Sequence, residues 1–310
     1  MKATAFDKLE ALIALTETMQ ASVTDDDRYL FLDVVHRNAV DLRERHIDEM
    51  SLVGVAAKSH DLRQPLTAIV GYTSLLNNPK LADHASLTEA QLADIRGLHV
   101  LGRELHWYMD SVILFADSIV RPDKAKASDA GMLDIRGYLL AQADNYVCYS
   151  RLKQISVSEE IPLVYANDVH TRLMIRGLFS SAIEIDRKAR LNLSGYTIMR
   201  TVRIKLAVVG AADQLHEVLR LLKVKLIPNG STIATQSMIA TIGTVKSSSL
   251  LELSLYTLTN LAARQGGRVK FEANGENLVI TLTMPMHLTP LQETQVKDQQ
   301  AGAQPPPAGV

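Results

Sequence analysis

The chain has 310 residues, 47% hydrophobic and 22% charged, which excludes wholesale disorder and leaves room for one large or two ordinary domains. Its 33 basic and 34 acidic side chains give a formal net charge of −1, so no global electrostatic pull draws it to nucleic acid or an anionic membrane. The single cysteine, Cys148, excludes an internal disulfide framework, weighs against a structural zinc cluster, and points to the cytoplasm.

No stretch approaches the roughly 18 to 20 uncharged apolar residues of a membrane span. The first segment, residues 1–24, spaces Phe6, Leu9, Leu12, Ile13 and Met19 at helical intervals. Asp7, Lys8, Glu10 and Glu17 interrupt it, so it reads as an amphipathic helix and not as a signal peptide. Thr24 followed by Asp25, Asp26 and Asp27 opens the next helix, because carboxylates favour the positive end of the macrodipole. The run from there to Leu76 predicts a rod on the order of 75 Å, with Gly54 and Pro65 as the places where it bends or divides.

Within that rod Leu52, Val55, Ser59, Leu62, Leu66, Ile69, Thr73 and Leu76 form a heptad seam. Asn77-Asn78-Pro79 breaks it, Ser86 or Thr88 opens a second helix, and Arg121-Pro122 stops that helix. The second helix repeats the spacing with Ile95, Leu98, Gly102, Leu105, Met109, Val112, Ala116 and Ile119. Residues 25–122 therefore predict a hairpin whose seam needs a cover. Pairing two copies into a four-helix bundle is the economical cover, so a homodimer is expected.

Residues 123–131 are small and polar and read as a linker. From 132 to 288 the texture becomes mixed, giving an α+β fold overall. Helical signals cover 132–150, 167–187, about 211–223 and 248–265, with strands at Gln154–Ser158, Thr201–Val209 and Leu278–Met284. Gly266-Gly267 before Arg268-Val269-Lys270-Phe271 predicts a helix stop feeding a strand. The Gln-, Pro- and Ala-rich tail, 289–310, predicts disorder.

The segment richest in chemistry is Ser59-His60-Asp61-Leu62-Arg63-Gln64-Pro65-Leu66. His60 lies off the seam, on a face with Ala56, Arg63, Gln64 and Thr67, where an imidazole can meet a second protein. Pro65 removes a backbone donor just past it, so a bend is expected there. The segment resembles the phosphoacceptor box of two-component sensor histidine kinases, Ser-His-Asp/Glu-Leu-Arg-x-Pro-Leu, at every fixed position. That resemblance implies His60 as phosphoacceptor through Nε2, and Asp61 as the acceptor of a ring hydrogen bond that fixes the tautomer. It implies Gln64 in the place of a residue that aims water at a receiver aspartyl-phosphate, and Arg63 either steadying phosphate charge or solvated on the helix face.

The family follows this hairpin with an ATP-binding α/β-sandwich domain, which the second half of the chain resembles in outline. Its Asn-Leu-x-x-Asn-Ala is here Gly177-Leu178-Phe179-Ser180-Ser181-Ala182, so Gly177 and Ser181 replace both asparagines, including the Mg²⁺ ligand. Its Gly-Leu-Gly-Leu is here Glu252-Leu253-Ser254-Leu255, without the glycines that let backbone N–H groups approach phosphate. The adenine-reading Asp-x-Gly-x-Gly is missing, the sole Asp-x-Gly being Asp129-Ala130-Gly131, and residues 210–247 lack the Gly-rich lid. A carboxylate at Glu252 repels polyphosphate.

These losses predict a degenerate histidine kinase acting as a histidine phosphotransfer adaptor, with no cofactor of its own. Its partners would be response-regulator receiver domains, which would also supply Mg²⁺. Two alternatives stay open: a divergent but live ATP-dependent kinase, and a regulatory pseudokinase that accepts no phosphate. His36, His46, His84, His99, His106, His170, His216 and His287 show no metal-ligand spacing, and Trp107 with Tyr108 reads as bundle packing ahead of a docking face.

Overall fold

A computed structural model describes residues 5–22, 25–46, 49–80, 87–121, 130–225 and 250–286. The expectations for Ser86, the linker from 122 to 129, the lid region from 226 to 249, His84, His287 and the tail lie outside those residues.

Helix α1 (Ala5–Gln20) buries Leu9, Leu12, Ile13 and Met19. Helix α2 (Asp26–Glu44) is capped by Asp25, whose carboxylate accepts from the Arg28 N–H at 3.0 Å. Its buried stripe is Leu32, Val35, Ala39 and Leu42. The chain then leaves the helix through His46, in the left-handed region at φ 48°, with its N–H donated to the Arg43 carbonyl. The expected rod is therefore three helices: α2, a short α3 (Leu52–Ala57) and α4 (Ser59–Leu76).

Folded back in this way, α2 lies along α4, while α1 packs on α2 and on α5 (Glu89–Val120). Thr88 and Gln91 open α5 with a capping box. The heptad seam appears as expected, with Leu52, Val55, Leu62, Leu66, Ile69, Thr73 and Leu76 at most 1% exposed. Every expected seam position of α5 is buried as well. Ser59 departs from it, being only half-buried, and Ala56 is buried instead of sharing the outward face of His60. What covers the seam is the chain's own α1 and α2, so a four-helix bundle closes within one molecule. The premise that a second copy must supply the cover does not hold, because each of these two helices carries an apolar stripe of its own.

The second unit is a two-layer α/β sandwich. Its five-stranded sheet runs β2 (Leu152–Val157), β4 (Leu191–Ile198), β5 (Thr201–Val208), β7 (Asn277–Pro285), β6 (Arg268–Asn274). The β2–β4 pair is parallel and the rest antiparallel. Alternation along β5 buries Val202, Ile204, Leu206 and Val208 beneath α8 (Asp168–Ile185) and α10 (Leu250–Arg264). Helix α9 (Leu215–Lys225) joins that layer, with α6 (Ile135–Ala143) and the single turn α7 (Tyr146–Tyr149) before β2. A small antiparallel pair, β1 (Ala130–Leu133) with β3 (Val164–Asn167), stands apart, so Met132 and Leu133 are strand and not the start of a helix. The expected helix stop is present. Gly266 sits at φ 68°, and a Cβ on Gly267 would lie 2.5 Å from the Thr283 carbonyl.

Helix α5 is shared between the two units. One face closes the bundle, while Trp107, on another, is buried in the core of the sandwich. Among the described residues no helix is long and apolar enough to cross a membrane. Closure by α2 makes one measurement predictable: Leu32→Ala lowers unfolding stability by about 2–5 kcal/mol, against about 0.5 or less were α2 solvated.

Candidate functional site

The box sits at the start of α4. Lys58, at φ −98° and ψ 16°, interrupts the helical path between α3 and α4, and its carbonyl accepts the first intrahelical bond from Leu62 N–H at 3.0 Å. His60 and Asp61 therefore occupy the first turn, at the positive end of the helix macrodipole, where added negative charge is favoured. The interruption falls at Lys58, and α4 continues through Pro65, whose ring is buried against the bundle.

Burial of Leu62, Pro65, Leu66 and Ile69 fixes which way the box faces. The His60 side chain is 93% exposed. Gln64 and Thr67 are exposed on following turns. Asp61 Oδ1 is 3.7 Å from His60 Nδ1, beyond hydrogen-bond reach, with the Asp61 side chain 64% exposed. The hydrogen bond expected from the ring is thus not formed, although Nδ1 is the nitrogen near the carboxylate and Nε2 is left for an incoming group.

Arg63 is turned away from His60 towards α5, with its side chain 39% exposed. Its Nε donates to Asp110 Oδ1 of α5 at 3.2 Å. The other Asp110 oxygen lies 3.7 Å from Arg176 of α8. Arg176 in turn donates Nε to Ser111 Oγ at 2.9 Å and a terminal nitrogen to the Trp107 carbonyl at 3.0 Å, with its guanidinium 3.3 Å above the Trp107 ring. Burial lowers the Arg176 pKa to about 10, partly offset by Asp110, so it stays charged at neutral pH. This latch was not legible in the sequence. The one signal was an arginine inside the apolar run Leu173-Met174-Ile175-Arg176-Gly177-Leu178.

The degenerate positions come together between α8 and α10. Ser181 Oγ donates to Ser254 Oγ at 2.9 Å, Ser254 Oγ donates to the Leu251 carbonyl at 2.9 Å, and both serines are fully buried. Helices α8 and α10 approach so closely that a Cβ on Gly177 would lie 3.2 Å from both the Ser254 carbonyl and Leu258 Cβ. Glu252 lies in the first turn of α10, half-buried, within electrostatic range of Arg220.

Cys148 is buried, and desolvation pushes its thiol up to about 12, leaving it protonated. Among the described residues no three His, Cys, Asp or Glu side chains converge as a metal site.

No family model matches the chain. No curated protein matches it either. Among solved structures it is similar to full-length ShkA in complex with AMPPNP, at 20% identity and a TM-score of 0.43, over 77% of this chain and 47% of ShkA. This chain thus spans about half of that protein's length. The Acinetobacter baumannii histidine kinase AdeS is similar at 13% identity and TM-score 0.36, over 74% of this chain and 98% of its own. A bacterial phosphotransferase is similar at 13% identity and TM-score 0.36, over 70% and 91%.

Two predictions follow from the packing around the site. Arg176→Ala removes one partner of a buried ion pair and costs about 3 kcal/mol in denaturant unfolding, and Arg176→Lys recovers only part, since it lacks the fork and the stacking plane. Burial, the leading cause, holds His106 and His99 of α5 below the ordinary 6.5; Arg103 adds to it at both, and Asp110 opposes it at His106. The folded chain then binds these protons more weakly than the unfolded one. Stability present above about pH 6.5 is lost as pH falls below it, and His99→Gln with His106→Gln flattens that part of a Tm–pH curve.

Proposed function

We propose that the chain is a two-component phosphorelay protein, a degenerate histidine kinase that carries phosphoryl groups through His60 between receiver-domain aspartates. The observation carrying this reading is the almost fully exposed His60 imidazole, within a complete phosphoacceptor box on a helix whose opposite stripe is buried. A receiver would bring an aspartyl-phosphate and its Mg²⁺ to this face. The Nε2 lone pair attacks phosphorus, the bond from phosphorus to the aspartyl oxygen breaks, and the aspartate leaves as a carboxylate with the bonding pair. The resulting ring is cationic with its proton on Nδ1, and Asp61 is placed to compensate that charge after a small side-chain rotation. Return to a second receiver aspartate is the same step reversed.

The residues between α8 and α10 do not fit an ATP–Mg²⁺ group. Ser181, in the place of the metal ligand, is tied to Ser254, and the helices touch at Gly177 where phosphates would need room. Glu252 adds repulsion. A homodimer of this chain would pair through faces other than the seam that α1 and α2 cover.

The test is phosphotransfer from a ³²P-labelled receiver to the full chain. Label should arrive on wild type, resist base and yield to acid as a phosphoramidate does, and be absent from His60→Ala. Label that persists in His60→Ala would sink the assignment. Incubation with labelled ATP and Mg²⁺ should leave the chain unlabelled, and labelling at His60 there would install the autokinase reading instead.

A further inference from the structure

A cleft of about 500 Å³ opens between the bundle and the sandwich, lined from α4, α5, α6, α8 and α10. We propose that it binds a small organic phosphate, a phosphoryl group joined to an apolar body. The proposal does not depend on His60 accepting phosphate.

Four guanidinium groups line the cleft, Arg63 from α4, Arg121 from the end of α5, and Arg172 and Arg176 from α8. Three carboxylates pair with them: Asp110 with Arg63 and Arg176, Asp117 with Arg121 at 3.3 Å, and Asp168 with Arg172 at 2.9 Å. Among the described residues that line or pair in the cleft, one positive charge is left over. Each carboxylate also holds its arginine in place, so little side-chain entropy remains to be lost on binding. Donors are left as well. Among the described residues Arg63 spends only Nε, so its two terminal nitrogens have no protein partner.

Two more features select the ligand class. The first turn of α8, an 18-residue helix capped by Asn167, faces the cleft through Val169 and His170, which adds the favourable end of a macrodipole. Leu114, Leu173 and Leu261 provide an apolar wall that a bare inorganic ion cannot use. A volume of this size suits a small organic molecule, and mixed apolar and convergent cationic walls suit one with an anionic end. Occupancy would be felt at the box. Arg63 is one turn beyond His60, and Arg121 also donates to the Ala56 carbonyl at 3.4 Å, at the α3 end where α4 begins.

Trp107 is the chain's one tryptophan and lies beneath Arg176, so its emission reports on the cleft. Titrating the full chain with phenyl phosphate should give a saturable change in that emission, with matching heat in calorimetry. Inorganic phosphate should bind at least about tenfold more weakly. Arg172→Gln, at a largely exposed side chain whose loss the fold tolerates, should weaken phenyl phosphate about tenfold, and Arg121→Gln comparably. No saturable signal by either method, equal affinity for inorganic and phenyl phosphate, or unchanged affinity in both variants would each overturn the proposal.

Discussion

The rotational phase of α4 is the constraint on which the rest of the molecule depends. Each residue advances about 100° around a helix, so once Leu62, Leu66, Ile69 and Thr73 are buried, His60 stands about 200° from Leu62 and faces outward. That phase has to be held by something on the buried side, and it is held by α1 and α2 of the same chain. Burying a leucine is worth about 1.5–3 kcal/mol, and Leu12, Leu32 and Leu42 are each at most 1% exposed. Packing of the box's buried leucines, Leu62 and Leu66, in one core with these helices therefore determines where the His60 imidazole points.

The second unit carries the reverse logic. In a phosphate-binding loop glycine admits close approach of backbone to phosphate. At Gly177 the close approach is of one helix to another, and the neighbours are a carbonyl and a leucine Cβ. The serines nearby satisfy each other and a backbone carbonyl, as buried hydroxyls must. These positions are core packing between α8 and α10, and both helices also contact α5.

Much of this was legible in residue order, for reasons that can be stated. Both seams, the Thr88 start, the Asn77 stop and the Gly266-Gly267 turn rest on local chemistry, and each appears within a residue or two of its expected place. The end of α2 was not legible because His46, not glycine, takes the left-handed position. Strands β1, β3 and β4 went unread. The first two are four residues each, and β4 (Leu-Asn-Leu-Ser-Gly-Tyr-Thr-Ile) mixes strand formers with glycine and asparagine. The site divides in the same way. His60, Asp61 and Gln64 form one contiguous motif, whereas the Arg63–Asp110–Arg176 network joins three helices and leaves no spacing to find.

That network also bears on how the two units can move. Arg176 is buried with its charge, stacked on Trp107 and bonded to two groups of α5, so pulling the sandwich away from the bundle would strand the Asp110 and Trp107 contacts together. Each of these contacts resists displacement of α5 and, through Asp110 and Arg63, of α4. The docked arrangement and the filled interface between α8 and α10 thus act together, since both hold fixed the helices that set the direction of the His60 imidazole.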